Sequence, residues 1–111
     1  MKHLSRFTKR EISELFKKAR RPLRHPSLDI LCAPTVVPTG KILVITPKRV
    51  GKAAKRNRIR RRLKSIFLEE KLFERGFDCI VIVKQQAIDF TFEQLKEILL
   101  SAFAKATADR V

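Results

Sequence analysis

Between Lys48 and Lys64, ten of seventeen side chains are basic: Lys48, Arg49, Lys52, Lys55, Arg56, Arg58, Arg60, Arg61, Arg62 and Lys64. Side chains of this type at this density neutralise phosphates, and guanidinium forks do so in bidentate geometry. A solvated helix ordinarily mixes signs, because opposite charges four residues apart stabilise it and like charges do not. Here Arg56/Arg60, Arg58/Arg62 and Arg60/Lys64 are like pairs at that spacing. The segment gives up local stability that a bound polyanion would restore. Asn57, in the middle of the run, has only a middling helix propensity, which leaves a base, phosphate or helix-capping role. Gly51 suits either a plain turn or a close backbone approach.

Elsewhere the chain offers little for covalent or acid–base chemistry. No acidic residue lies between Asp29 and Glu69, and Glu11 and Glu14 have helix-capping or surface explanations. No pair of acids is spaced to hold two metal ions, and no base–nucleophile arrangement stands out. His3 and His25 have no metal-ligand spacing to each other or to Cys32 and Cys79. Both cysteines sit inside apolar runs, which suits buried free thiols in a reducing compartment. The expectation is no catalytic residue in the protein and no metal bound by it.

The chain has 111 residues, 26 Lys and Arg against 11 Asp and Glu, a formal charge of +15 and 44% apolar residues. This length and composition suit one folded domain, residues 1–111, carrying its basic excess on a foldable chain. Such an excess points to a polyanionic partner. The longest apolar run, Cys79 to Val83, falls far short of the ~20 residues that span a bilayer, and no signal-peptide pattern is visible. A soluble cytoplasmic partner of nucleic acid is expected, with no membrane and no small-molecule substrate. The charge is also lopsided: residues 1–68 hold 20 basic and 3 acidic side chains, residues 69–111 hold 6 and 8.

The elements that position the basic run follow from periodicity. Thr8 and Glu11 form a capping box, Phe7 and Ile12 a hydrophobic staple, and Ile12, Leu15, Phe16 and Ala19 an apolar stripe. A helix is expected from about Lys9 to Arg20, ended by Pro22. Leu28–Ala33 and Lys41–Thr46 read as strands, joined by a loop that permits an irregular hairpin. The apolar run Ile42 to Ile45 reads as a central strand. Ile59, Leu63, Ile66 and Phe67 give the basic segment one core face, with the cations filling the remaining arc. Its helix could open at Lys52 or, capped by Asn57, at Arg58, and Gly76 ends the helical stretch. Asp78–Lys84 is the most buried-looking strand, so strand, helix and strand make a parallel βαβ unit. Thr91 with Gln94, and Phe90 with Leu95, open a last helix with core residues Leu95, Ile98, Leu99, Ala102 and Phe103, fraying from about Lys105. The predicted class is α+β, a two-layer α/β sandwich of order α-β-β-α-β-α with a mixed sheet.

The stretch Lys48 to Lys64, a basic pair, an apolar residue, Gly51 and then Arg56-Asn57-Arg58 leading into an apolar/basic helix, closely resembles the signature of the bacterial ribonuclease P protein subunit. The order of elements around it resembles that family too. The resemblance implies a left-handed βαβ crossover, against the usual right-handed rule. It also implies a division of labour: a large RNA, with bound Mg²⁺, hydrolyses precursor tRNA at the 5′ end of the mature sequence. The protein docks on that ribonuclease P RNA and holds the 5′ leader. Lys48, Arg49, Lys52, Lys55, Arg56, Asn57, Arg58, Arg60, Arg61, Arg62 and Lys64 then match the face turned to the catalytic RNA.

By the same resemblance, the leader cleft lies between the first helix and the open sheet face. Phe16 matches one aromatic position there, Ile12 stands where another Phe is usual, and Leu31 occupies a strand position often held by Tyr. The chain has no Tyr or Trp, so its leader contact is expected to be more apolar and electrostatic than stacking. For Phe16, core packing along the helical stripe is the competing explanation. Pro47 departs from the small polar residue usual before the basic pair. A ribosomal or other structural RNA-binding protein is the alternative by charge and size. DNA binding is weakened by the lack of a flanking helix-turn-helix or heptad, and a membrane-surface helix by the lack of a Trp anchor.

Overall fold

A computed structural model describes residues 8–18, 20–35 and 39–109. In chain order the elements are α1 (Lys9–Lys18), β1 (Arg20–Arg24), β2 (Leu28–Pro34), β3 (Ile42–Ile45), α2 (Ala53–Glu69), β4 (Phe77–Val83) and α3 (Phe92–Asp109). The strands form one mixed sheet in the order β1-β2-β4-β3; only β3 and β4 run parallel. The α+β class and the β3-α2-β4 unit match expectation, and β1 adds a strand to the expected order.

Side-chain alternation divides the sheet into two faces. Leu28, Ile30, Cys32, Ile42, Val44, Phe77, Cys79, Val81 and Val83 turn toward Ile59, Leu63, Ile66 and Phe67 of α2 and Leu95, Leu99, Ala102 and Phe103 of α3, forming the main core. Phe103 lies at its centre, with ring centroids 6.1 Å from Phe67 and 6.5 Å from Phe77. The opposite face carries Leu31, Ala33 and Ile80, over which α1 lays Leu15. Leu43, Ile45 and Ile82 continue this face and stay half-exposed.

Local signals held where the bonding is local. Thr8 N–H donates to Glu11 Oε1 at 2.9 Å and Glu11 N–H to Thr8 Oγ1 at 3.1 Å, closing the first capping box. Thr91 and Gln94 close the second at 2.9 and 3.2 Å. Phe7 of the proposed staple lies outside the described residues, whereas Phe90 and Leu95 pack in one cluster.

Four expectations need correction. The first helix stops at Lys18, and Arg20 already belongs to β1, an edge strand whose register shifts between Arg20 and Leu23, around Pro22. β2 and β3 form no hairpin, because β4 lies between them. β3 is an edge strand; its unbroken apolar run reflects contact on both faces, not a central place. Lys105 does not begin a fray: α3 runs on to Asp109, with Ala106 buried and Thr107 Oγ1 donating to Phe103 O at 2.9 Å.

Candidate nucleic-acid interface

α2 opens at Ala53, the earlier of the two expected starts, with Lys52 in the capping position. Asn57 is therefore inside the helix, where its Oδ1 accepts from Arg60 Nη2. No side chain caps α2, and its first turn holds no acid. An uncapped helix start carries partial positive charge and free N–H donors, which favour a phosphate. The residues just before it are packed: Val50 is buried, and a Cβ on Gly51 would meet Ile88 Cγ1 at 3.0 Å. Gly51 is thus a close-approach glycine.

Apart from Arg60, which is paired with Asn57, the cations fall into three groups. Arg56 Nε donates to Gly51 O at 3.1 Å and Arg62 Nη1 to Phe90 O at 2.8 Å, so both hold backbone while keeping further donors free. Lys55 Nζ lies 3.0 Å and Arg58 Nη2 3.9 Å from Asp89 Oδ1. The side chains of Lys48, Arg49, Lys52, Arg61 and Lys64 are exposed and make no hydrogen bond or ion pair among the described residues. Asn57, Arg60, Arg61 and Lys64 line a shallow depression along the helix with Ala54. The motif therefore forms one outward cationic face over the core stripe. Asp89 escaped sequence reasoning, since no local spacing links it to α2.

The second surface lies across the sheet. Phe16 is 43% exposed, the one exposed large apolar side chain among the described residues, so core packing does not explain it. Ile12, one turn before Phe16 on α1, is half-buried. Leu31 is only 6% exposed in the cluster with Leu15, and so supports this surface more than it forms it. Leu43, Ile45 and Ile82 supply the accessible apolar floor instead. Period-2 alternation within β3 was the signal for the first two, masked because Ile42 and Val44 are apolar as well.

Titratable groups at one end of this surface are tuned in opposite directions. The Lys41 ammonium and the Thr8 N–H, both hydrogen-bonded to Glu11, hold its carboxyl below the usual range. Burial pushes Asp78 up, although its Oδ1 accepts the Lys41 N–H at 2.9 Å. A raised folded-state value means that ionised Asp78 costs stability at neutral pH, and that this cost disappears as pH falls through the raised value. Asp78→Asn keeps an acceptor for Lys41, so it should raise Tm by about 1–3 °C at pH 7 and give no gain at pH 3. Thermal melts at the two pH values check this. The thiols Cys32 and Cys79 are both free and buried, and their hydrogen bond, followed by burial, pushes Cys79 well up, away from nucleophilic use.

Comparison with known proteins agrees with this geometry. The family model described as Ribonuclease P matches residues 1–107. The ribonuclease P protein component of Finegoldia magna is 39% identical over 61 residues, covering 54% of each chain. That of Onion yellows phytoplasma is 32% identical over 101 residues, covering 86% of this chain and 68% of its own. The match to the Bacillus pumilus component likewise covers 50% of that protein, so the chain spans about half the length of some of these curated relatives. The same fold is seen in the RNase P proteins of Thermotoga maritima (TM-score 0.75, 22% identity, 89% of this chain and 94% of that one) and Staphylococcus aureus (0.76, 21%, 90% and 92%). Motif, sheet order and whole-chain match converge, and the chain belongs to the ribonuclease P protein family.

Proposed function

We propose that this chain is the protein subunit of the RNA-based endoribonuclease ribonuclease P, and that it assists 5′ maturation of tRNA. The observation that carries the proposal is the pairing of two different surfaces on opposite sides of one sheet. The cationic face of α2 suits the phosphates of the catalytic RNA, and the apolar face bordered by Ile12 and Phe16 suits the unpaired leader of precursor tRNA. In this reading the RNA performs the hydrolysis and carries the Mg²⁺. Among the described residues no three His, Cys, Asp or Glu side chains converge to hold a metal. Likewise no described helix is long and apolar enough to cross a membrane, and the place of action proposed is the cytoplasm.

The test is cleavage of precursor tRNA by a bacterial ribonuclease P RNA at low Mg²⁺, with and without the chain. Restored accurate 5′ cleavage supports the reading; RNA binding that never aids cleavage, even with the cognate RNA, refutes it. With roughly 6–8 phosphates neutralised, log K for docking should fall against log salt with a slope of about −4 to −7. Phe16→Ala should leave docking intact and weaken precursor binding by on the order of 5–30-fold, within the range of one lost base contact. Equilibrium binding of precursor and mature tRNA to the assembled enzyme checks this, and equal losses for both would place Phe16 in folding.

A further inference from the structure

α1 is attached to the sheet at few points, since Leu15 is its one buried residue. A second attachment lies in its first turn, where the Glu11 carboxylate is used twice. Oε1 accepts the Thr8 N–H that closes the helix cap, and Oε2 accepts from Lys41 Nζ at 2.8 Å. Lys41 is itself held just before β3: its N–H donates to Asp78 Oδ1, and its carbonyl accepts from Cys79 N–H at 2.8 Å. Its side chain is only 19% exposed. One carboxylate therefore joins the start of α1 to the edge of the sheet, beside Leu43 and Ile45.

We infer that Glu11 and Lys41 are a positioning pair that sets the height and tilt of α1 over the open sheet face, and so the width of the channel that takes single-stranded RNA. This rests on the leader-binding reading above. A salt bridge needed only for stability would affect every activity of the protein together. A positioning pair affects the open face alone, because α2 packs on the other side of the sheet.

The capping box allows a clean separation, because Gln serves as well as Glu at its third helical position. Glu11→Gln keeps the cap and removes the ion pair; Lys41→Met keeps the side-chain stem and removes the donor. Each variant and the double variant are assembled with ribonuclease P RNA, and Kd is measured for that RNA, for precursor tRNA and for mature tRNA. Each single variant should lower the preference for precursor over mature tRNA by on the order of 3–10-fold, with RNA docking unchanged and the double variant no worse than either single.

Additive losses, or a parallel loss for precursor and mature tRNA that follows a fall in Tm, would overturn the inference. Tighter precursor binding by Glu11→Gln would overturn it too, by making Lys41 a direct phosphate contact freed from its partner. Phe16→Ala separates the remaining failures. If it lowers the precursor preference while Glu11→Gln and Lys41→Met do not, the pair has no positioning role and the leader cleft stands. If all three leave the preference unchanged, the leader reading fails and the inference falls with it.

Discussion

Reversing Arg61 and Lys64 to glutamate is expected to weaken docking on the catalytic RNA by on the order of 100–1,000-fold at physiological salt, without lowering Tm. Both side chains are exposed, lie on one ridge of α2 with Asn57 and Arg60, and have no partner among the described residues. Each reversal removes a phosphate contact and adds a repulsive charge, together about 2 kcal/mol per site when the partner is a dense polyanion. The helix itself should gain. Lys64 stands four residues from Arg60, so a glutamate there turns a like pair into an opposite one. Loss of binding alongside equal or greater stability is what a face strained for its ligand predicts, and a solubilising face does not.

The salt slope adds a second readout: two lost contacts should make it shallower by about 1.4–1.8. Salt-titrated binding and a thermal melt of the double variant suffice. Unchanged affinity and slope would move docking off this ridge. Arg56 and Arg62 are poorer probes, since each holds a backbone carbonyl, and Arg58 approaches Asp89, so their loss mixes folding with binding.

Legibility of the fold followed the range of the interactions. Both capping boxes and the stripe Ile59, Leu63, Ile66 and Phe67 involve residues three or four apart, so periodicity exposed them. The start of α2 stayed open because no cap marks it; the neighbour that leaves no room for a side chain at Gly51 is Ile88, distant in sequence. The hairpin expectation failed for the same reason. Adjacent strands joined by a loop favour pairing locally, yet β4 pairs with both and separates them. Pro22 and the arginines of β1 hid a strand that only an edge position tolerates.

Of the two candidate surfaces, the cationic one was the more legible. Its residues lie within one continuous segment, and the helical wheel already separated them from the core. Which cations are free depended on Asp89, Gly51 and Phe90, brought in by tertiary packing. For the apolar surface, Phe16 was recognisable, but Leu31 is covered in the cluster with Leu15. Leu43, Ile45 and Ile82 were hidden because a strand contacted on both faces looks the same whether it lies at the edge or the centre.

Gly40→Ala should cost about 3 kcal/mol and lower Tm by about 10–20 °C. A Cβ at this position would overlap Phe77 O and lie 3.1 Å from Phe77 C, with Phe73 O at 3.5 Å. All three are backbone atoms, so no rotamer change relieves the clash. Gly40 is also tied down, its N–H donating to Phe73 O at 2.8 Å. It is not among the positive-φ glycines, so the cost is steric and not conformational. Ala would ordinarily stabilise by about 0.4–1 kcal/mol through the unfolded chain, well short of offsetting this overlap.

Relief requires the entry to β3 to draw away from β4. That movement stretches the Cys79 N–H to Lys41 O bond and the Lys41 N–H to Asp78 bond, and so shifts the ammonium that holds Glu11. Precursor preference should therefore fall further than RNA docking at temperatures where Gly40→Ala remains folded, because α2 is anchored in the opposite core. Urea unfolding together with the two binding assays tests both parts. A thermal melt within 2 °C of the parent protein would show that position 40 has room for a Cβ beside Phe77 O. Equal losses in the two assays would show that the open face and α2 respond as one unit.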